Sequence, residues 1–316
     1  MYVIEHLDKA TKPLFSYEII PPPRGRSARD VLDVVEQVLP FDPPFIDVTS
    51  HSAEAYYEEF EDGTIKRRVR KKRTGTISIC GIIQNRYNID TVPHLLCRGF
   101  TREETEDAMI ELSYLGIHNV LAIRGDQTNY VRPVGNDFSA NVYAEDLVRQ
   151  LVDLKSGKYL EEIDNSDSID MCIGVGAYPE KHLEAPNMKQ DVAYLKAKAD
   201  AGADYIVTQM VFDNTKFFEL VKQCRAIGIE VPIIPGLKVL TSAIHLSSLP
   251  KNFHISIPEE LADEVQQNRK HAREIGIRWA VSQCKQLLNE SGGVPCLHFY
   301  VMNDATPVLD VIRQLS

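Results

Sequence analysis

Short apolar runs rich in β-branched residues recur along the chain, separated by longer stretches that mix apolar and polar residues. The runs are continuous rather than alternating, as in strands of a parallel sheet whose two faces are both covered. They comprise Phe15–Ile20, Phe45–Thr49, Thr91–Cys97, Asn119–Ile123, Met171–Ala177, Tyr205–Met210, Pro232–Pro235 and Leu297–Met302. The pattern therefore predicts eight β-strands.

The stretches between these runs carry the marks of helices. After Ser27, apolar residues fall on one helical face, at Val31, Val34, Val35, Val38 and Leu39. Thr101 and Glu104 form the pattern of a capping box, at which a helix begins. The stretch from Asp191 ends on Gly202, a residue suited to the end of a helix. The chain thus alternates strands with helices.

Two more helices are predicted over residues 214–227 and 259–289, and we expect the second to be broken near Ile275–Gly276. Eight strand–helix repeats in 316 residues predict one domain over residues 1–316, an α/β fold of the (β/α)8 TIM-barrel type. A doubly wound open sheet is the alternative. Its dinucleotide-binding form needs a GxGxxG motif after an early strand, and the sequence has none there. The pattern favours the barrel.

Composition narrows the functional classes. The net charge of −10 argues against nucleic-acid binding, because phosphate backbones select basic faces. One basic run, Lys66–Arg73, is interpreted as a solvated loop or helix face. The six cysteines include no CxxC pair, which indicates thiols in a reducing compartment. With no apolar leader and no run long enough to span a bilayer, we expect a cytoplasmic protein without membrane contact.

Barrel enzymes place their chemistry at the carboxyl ends of the strands. In this sequence those ends carry polar residues, at Glu18, Thr49, His94, Arg124-Gly125-Asp126, Tyr178, Glu180, His182, Gln209, His298 and Tyr300. Glu18 stands in an apolar strand, where a carboxylate must be paired, protonated or solvated. A structural ion pair is an equal alternative for Glu18. Structural roles are also open for His94, Gln209 and His298.

Other chemistries lack their motifs. The sequence contains no HExxH, no acidic calcium-binding loop, no GxSxG and no P-loop, so we expect no metal site. A Schiff base on Lys238 stays open, but no second feature supports it. A polar mouth with acids, amides and aromatic residues suits a planar heteroaromatic ligand and a cofactor that supplies the reactive chemistry.

Eight segments in register carry a resemblance to a known family. They read FSYEIIPPP, FIDVTS, VPHLLC, VLAIRGD, GAYPEKH, YIVTQMVFD, IIPGLKVL and LHFYVMN, between Phe15 and Asn303. Together they resemble the methylenetetrahydrofolate reductases. The resemblance implies a barrel that binds FAD at the carboxyl ends of its strands without a Rossmann motif. It also implies reduction of 5,10-methylenetetrahydrofolate to 5-methyltetrahydrofolate, which supplies methyl groups for methionine synthesis.

The resemblance assigns roles to particular residues. Glu18 matches the general acid that assists opening of the folate imidazolidine ring, and a partly desolvated glutamate can retain its proton at neutral pH. Asp126 matches an aspartate near flavin and pterin, where a carboxylate stabilises the cationic iminium and affects the flavin's redox balance. Gln209 matches a folate contact. The expected substrate contacts are Glu18, Gln209, His245, Leu249 and Tyr300.

The resemblance also gives a set of expected FAD contacts: Thr49, His94, Arg124, Gly125, Asp126, Tyr143, Ala144, Tyr178, His182, Ala185, Asp191 and Lys198. Arg124, His182 and Lys198 suit the pyrophosphate and ribose. The sequence departs from bacterial members at Tyr194 and Ala197 on the adenosine side, and at His245, Leu249 and Asp304 on the folate side. Asp304 replaces an arginine that can meet the glutamate tail, a role that the basic run Lys66–Arg73 is able to take over.

The implied mechanism is ping-pong, with NADH or NADPH reducing FAD before folate is reduced on the same face. The chain ends just after the barrel, so we expect no C-terminal regulatory domain that binds S-adenosylmethionine. We expect a homo-oligomer. Two alternatives stay open, a metal- or Schiff-base-dependent lyase and a non-catalytic flavin- or folate-binding subunit of a larger one-carbon complex. Intact Glu18, Asp126 and Gln209 argue against the second alternative, since a binding module needs no general acid.

Overall fold

Parallel strands close into a barrel in the computed structural model, which describes residues 1–126, 130, 139–290 and 294–315. The strands in these ranges are β1 Leu14–Ile19, β2 Phe45–Val48, β3 Glu54–Glu59, β4 Ile65–Arg70, β5 Asp90–Leu96, β6 Asn119–Ile123, β7 Cys172–Ala177, β8 Tyr205–Met210, β9 Ile233–Leu237 and β10 Cys296–Met302. The barrel order is β1-β10-β9-β8-β7-β6-β5-β2, and β1 pairs with β2 to close it. Closure excludes the open doubly wound sheet.

The eight predicted strands are confirmed, with ends that differ by at most two residues from the predicted runs. Their continuous apolar character follows from burial on both faces, since helices cover the outside and side chains fill the inside. In β1, Tyr17 and Ile19 point outward into the layer between strands and helices, whereas Ser16 and Glu18 alternate with them. Glu18 is therefore an inward-facing residue near the carboxyl end of its strand.

Helices surround the barrel. In the described ranges they are α1 Val3–Asp8, α2 Arg29–Val38, α3 Thr76–Tyr87, α4 Arg102–Tyr114, α5 Ala144–Lys155, α6 Met188–Asp200, α7 Asn214–Ala226, α8 His245–Phe253, α9 Glu259–Gln267, α10 Ala272–Asn289 and α11 Thr306–Ile312. The predicted capping box is confirmed, because Thr101 Oγ1 accepts from Glu104 N at 3.1 Å and Glu104 Oε2 accepts from Thr101 N at 3.0 Å. None of these helices is long and apolar enough to cross a membrane.

The predicted break near Ile275–Gly276 is wrong. The helical stretch is interrupted earlier, by the 3-10 turn Arg269–His271 between α9 and α10. Gly276 lies inside α10, where a Cβ would stand 1.8 Å from the carbonyl oxygen of Leu240. The glycine therefore allows α10 to pack closely against the loop at Leu240, and it does not end the helix.

The basic run forms a strand, so its interpretation as a loop or helix face is wrong. Residues Ile65–Arg70 pair antiparallel with Glu54–Glu59, which places Arg70 opposite Glu54. Arg68 Nε lies 3.0 Å from Glu58 Oε2 and Arg70 Nε lies 3.4 Å from Glu54 Oε1. The strand is exposed along its length, as expected for a solvated run. Its cations are thus partly neutralised by the neighbouring strand.

The amino end of the barrel is closed by α1. Val3 and Leu7 are buried against the innermost residues of the strands, among them Phe45, Val92 and Tyr205. The Val3 amide donates to Asn119 Oδ1 at 2.8 Å, which fixes the helix to β6. The helix and this inner layer form an apolar floor beneath the barrel interior.

The six cysteines are buried and free, as expected for small core residues.

Candidate active site

Two acids and two histidines face one another inside the barrel, and we call Glu18, Asp47, His94 and His298 the acid–imidazole quartet. They come from β1, β2, β5 and β10, which are neighbours in the barrel. His94 Nε2 lies 3.6 Å from Glu18 Oε2 and 3.5 Å from Asp47 Oδ2. His298 Nε2 lies 3.9 Å from Glu18 Oε2, and its Nδ1 lies 3.9 Å from Asp47 Oδ1. Each imidazole therefore contacts both carboxylates.

The quartet is almost completely buried. Asp47 is fully buried, and within the described residues neither of its carboxylate oxygens has a hydrogen-bond partner. Burial alone would lower the pKa of His94, but the carboxylates of Asp47 and Glu18 outweigh it and raise that pKa above the ordinary value. Ser16 Oγ lies 2.9 Å from His298 Nδ1 and orients the second ring. Buried charges of this kind persist only when they are paired.

Tyr300 and Lys238 border the quartet on the β9–β10 side. The Tyr300 hydroxyl donates to the Thr208 carbonyl oxygen at 2.7 Å, and its ring passes so close to Gly236 that a Cβ there would lie 2.7 Å from it. Lys238 Nζ donates to the Tyr300 carbonyl oxygen at 2.7 Å. Burial lowers the pKa of Lys238 to about 8, against the opposing effect of Glu18 and Asp304. The mouth thus holds a mostly buried lysine near a mostly buried acid.

A cavity of about 460 Å³ opens at the carboxyl ends of β6 and β7. Of the expected cofactor residues, those that line it are Arg124, Tyr143, Ala144, Tyr178, His182, Ala185, Asp191 and Lys198. Four of the expected residues do not line it: His94 belongs to the quartet, Thr49 follows β2, and Gly125 and Asp126 follow β6. The Asp126 carboxylate raises the pKa of Tyr178, which lines the cavity, and opposes the lowered pKa of His51.

Positive and aromatic groups converge in this cavity. The Arg124 guanidinium lies 4.8 Å from the centre of the Tyr143 ring and is paired with Glu184. Lys198 Nζ donates to the Gly176 carbonyl oxygen, and burial lowers the pKa of Lys198 to about 8 despite the nearby Asp191. The His182 amide donates to Asp191 Oδ2 at 2.8 Å. A guanidinium and an ammonium beside aromatic rings suit a phosphorylated heteroaromatic ligand.

Burial, Lys198 and Arg124 together lower the pKa of His182, although Asp191 opposes them. The His182 ring meets Tyr178 edge-on, with 4.6 Å between the ring centres. A neutral imidazole in this position offers a hydrogen bond without adding charge. The residues present therefore fit the FAD that the family resemblance implies.

The residues expected to contact folate lie in different environments. Gln209 is half-buried, and its Oε1 accepts from the Met210 amide at 2.9 Å. His245 begins α8, and burial together with Lys238 lowers its pKa. Leu249 packs in a buried cluster with Met210, Phe212 and Leu240. Within the described chain, Leu249 therefore serves the core beneath the mouth.

The departures from bacterial members also have defined positions. Tyr194 lines the cavity and is about half exposed, whereas Ala197 is not among the lining residues. Asp304 Oδ2 lies 3.9 Å from Arg273 Nη1, and Asp304 Oδ1 accepts from the Thr306 amide at 2.9 Å. The basic hairpin strand is a separate element that reaches Tyr130 through Arg67, at 5.5 Å from the ring centre.

Sequence reasoning missed Asp47 as a candidate site residue. Its signal was available, because Asp47 is an acid inside an apolar strand in the same way as Glu18. Glu184 was missed as well, although it lines the cavity and pairs with both Arg124 and Arg98. Nothing in its local sequence distinguishes it from a solvated loop residue.

Comparisons with known proteins agree with the sequence resemblance. The profile of the family described as methylenetetrahydrofolate reductase matches residues 3–316. The chain is 30% identical over 321 residues to methylenetetrahydrofolate reductase 2 of Saccharomyces cerevisiae, covering 99% of this chain and 48% of that protein. It is 28% identical over 318 residues to a probable methylenetetrahydrofolate reductase (NADPH) of Caenorhabditis elegans, covering 99% and 44%. The chain thus spans about half the length of these relatives.

A solved structure shares the fold. It is an uncharacterized protein from Clostridium thermocellum that binds two copies of 5-methyl-5,6,7,8-tetrahydrofolic acid. The TM-score is 0.58 at 15% sequence identity, over 98% of this chain and 96% of that one. At this identity the likeness concerns the backbone architecture alone.

Proposed function

The chain belongs to the methylenetetrahydrofolate reductase family, and we propose that it reduces 5,10-methylenetetrahydrofolate to 5-methyltetrahydrofolate with FAD and NADH or NADPH. One observation carries the proposal. A cavity with the cations Arg124 and Lys198 opens at the same end of the barrel as the mostly buried acid Glu18. A flavin site beside a shielded proton donor is what reduction of a cyclic aminal requires.

On the cofactor side, Arg124, His182 and Lys198 would hold the pyrophosphate and ribose of FAD, with Asp191 fixing the His182 backbone. Tyr143, Ala144, Tyr178 and Ala185 would supply the remaining walls, and Thr49, His94, Gly125 and Asp126 would lie toward the flavin ring. When bound, FAD accepts hydride equivalents from the nicotinamide and supplies them to folate. Gly125 has φ +85°, a conformation that favours glycine at this turn.

On the folate side, Glu18 donates a proton to an amine nitrogen of the imidazolidine ring as the C–N bond electrons move to that nitrogen. The ring opens to a cationic iminium on the folate, which then accepts the hydride. The Asp126 carboxylate stabilises the cation electrostatically. Gln209, His245, Leu249 and Tyr300 are the proposed folate contacts, of which Leu249 acts through the packing beneath the mouth.

The remaining features of the proposal come from the family resemblance. Nicotinamide and folate would use the same face in turn, which gives ping-pong kinetics. The product would supply methyl groups for methionine synthesis. We further propose that residues 1–316 form one catalytic domain, that the chain forms a homo-oligomer and that it acts in the cytoplasm.

The proposed function is tested by the absorption spectrum of the purified protein. We expect it to bind FAD and show a yellow spectrum, to be bleached anaerobically by NADH or NADPH, and to recover its colour when methylenetetrahydrofolate is added. Buffer in place of folate is the control. A protein that takes up no added FAD would contradict the proposal. A protein that binds FAD but is not reoxidised by folate would favour the flavin-binding subunit.

Flavin affinity should depend on Lys198. Replacing it by methionine removes a buried ammonium that lines the cavity, and charge-assisted hydrogen bonds of this kind contribute about 2 kcal/mol. We expect the Kd for FAD, followed by quenching of flavin fluorescence, to rise about 30-fold. Lys196→Met is the matched control, since Lys196 lies on the same helix and pairs with Asp200. Equal losses in both variants would refute the assignment.

The affinity should also depend on pH. Because the pKa of Lys198 is lowered to about 8, the ammonium is charged below that pH and loses its charge above it. FAD binding should therefore weaken as the pH rises through about 8. The Lys198→Met variant should lack this decrease.

A further inference from the structure

Asp47 has no part in the proposed function so far, although it lies on the neighbouring strand beside the proposed proton donor. Its Cα pairs with that of Glu18 in the β1–β2 register, and it is fully buried. The two carboxylates are bridged on one side by His94, at 3.5 and 3.6 Å, and on the other by His298, at 3.9 Å to each. Acid and imidazole groups therefore alternate around the quartet.

This buried arrangement of two acids and two imidazoles is stable only when it also binds protons. Two ionised carboxylates beside two neutral imidazoles would place uncompensated negative charge in a buried site, which is costly. A proton on an imidazole between the two acids removes much of that cost. The raised pKa of His94, to which Asp47 and Glu18 both contribute against burial, agrees with a proton held on this ring.

The other titratable groups around His94 do not take over this role. They are His51, which interacts with His94 itself, and four groups that interact with the acids of the quartet or with His51, namely Tyr205, Tyr300, Lys238 and Asp126. Burial lowers the pKa of His51 and of Lys238, and a positive charge on either would disfavour a further positive charge nearby. Burial holds the pKa of Tyr205 and Tyr300 well above the usual range. Asp126 acts on His51 rather than directly on His94. Asp47 is thus the buried anion nearest to the His94 ring.

We propose that Asp47 is a positioning residue that keeps a proton on His94 next to Glu18, so that Glu18 is reprotonated from the imidazolium after it has protonated the substrate. The inference rests on the proposed function. Glu18 gives its proton to the amine nitrogen as the C–N bond breaks, an N–H proton of His94 then moves to the Glu18 carboxylate, and solvent returns one proton to His94. Each turnover consumes one solvent proton and one hydride, which balances the conversion of methylene to methyl.

The test uses Asp47→Asn in the FAD-loaded protein, since asparagine keeps the shape of the side chain and removes its charge. We expect nicotinamide-dependent bleaching and FAD affinity to stay near wild type. Reoxidation by methylenetetrahydrofolate over repeated turnovers should slow about tenfold at pH 8, because lowering the pKa of His94 by about one unit leaves about one tenth as many rings protonated at that pH. At pH 6, where solvent can protonate His94, the rate should return close to wild type.

A matched control exists at the opposite end of the barrel. Asp90 pairs with His6, with 2.7 Å between Oδ2 and Nε2, and it belongs to neither the cavity nor the quartet. Asp90→Asn also removes an acid from a histidine pair, and we expect it to leave the pH profile of reoxidation unchanged. A general loss of stability would affect both variants at every pH, whereas loss of the proton would affect Asp47→Asn at high pH alone.

A measurement without turnover completes the test. Histidine ring NMR resonances of the wild-type protein should show His94 titrating above its ordinary value, and Asp47→Asn should lower that pKa. If His94 of the wild type titrates below the ordinary value, or if the pH profile of reoxidation is the same in wild type and Asp47→Asn, the inference is overturned. If the wild type itself is not reoxidised by folate, the proposed function fails instead, and the NMR result still decides whether Asp47 controls His94.

Discussion

Replacing Glu18 by glutamine is expected to leave flavin reduction by NADH or NADPH near the wild-type rate and to slow reoxidation by methylenetetrahydrofolate about 1,000-fold. General acid catalysis typically contributes about 10²–10⁴-fold, and the amide keeps the size of the side chain but has no acidic proton to donate. Glu18 is mostly buried and lies 3.6 Å from His94, so solvent is poorly placed to substitute for it. Stopped-flow absorbance of the two half-reactions measures both effects separately.

Glu180→Gln serves as the control, because Glu180 also follows a barrel strand. Its Oε2 accepts from the Ser256 amide at 2.6 Å, which is a structural contact between loops. Both half-reactions should persist in that variant. If Glu18→Gln slowed both half-reactions equally, Glu18 would be needed for the flavin environment rather than for folate, and its assignment as the acid would be wrong.

Alanine at position 276 should destabilise the fold by about 3 kcal/mol. Glycine to alanine in a helix normally gains about 1 kcal/mol from helix propensity, so propensity alone predicts the opposite sign. Packing decides the outcome here, since the new Cβ would stand 1.8 Å from the Leu240 carbonyl oxygen and backbone must move to relieve it. Chemical unfolding measures the difference between Gly276→Ala and wild type.

The matched control is Ser282→Ala, at an exposed position of the same helix. We expect that substitution to change the free energy of unfolding by less than about 0.5 kcal/mol. A Gly276→Ala protein as stable as the control would show that loop and helix separate easily. The loop concerned follows β9 and Lys238, so the packing at Gly276 also supports one side of the mouth.

The barrel was predictable from the sequence because the strand signal is local. A continuous apolar run reports burial on both faces, and each of the eight runs does so independently of its neighbours. The position of Glu18 near a strand end followed from the same runs. In the cavity, Arg124 and Lys198 were placed by the family resemblance, and the structure brings them together.

The parts that could not be predicted depend on which elements become neighbours. Asp47 carries the same local signal as Glu18, but its proximity to His94 and His298 arises only when β1 and β2 close the barrel between β10 and β5. A glycine within a helical pattern can mark either a break in the helix or a close contact with another element, and Gly276 was interpreted as a break. The Leu240 carbonyl that decides between them lies 36 positions away in the chain.

The hairpin of β3 and β4 was not predicted from the sequence, for a different reason. Asp62-Gly63 between two short segments is a turn signal, and Gly63 has φ +79°. The strand after this turn was not predicted, because most of its residues are positively charged and charged side chains are uncommon in strands that face a core. Here they face solvent and the acidic partner strand.

The apolar floor formed by α1 has a consequence for the timing of proton uptake. With Val3 and Leu7 packed against Phe45 and its neighbours, the described part of the chain seals the amino end of the barrel beneath the quartet. Folate bound at the mouth would cover the other end. On the proposed relay, the solvent proton that recharges His94 therefore enters after the methylated product has left, so each catalytic cycle begins with its proton already stored.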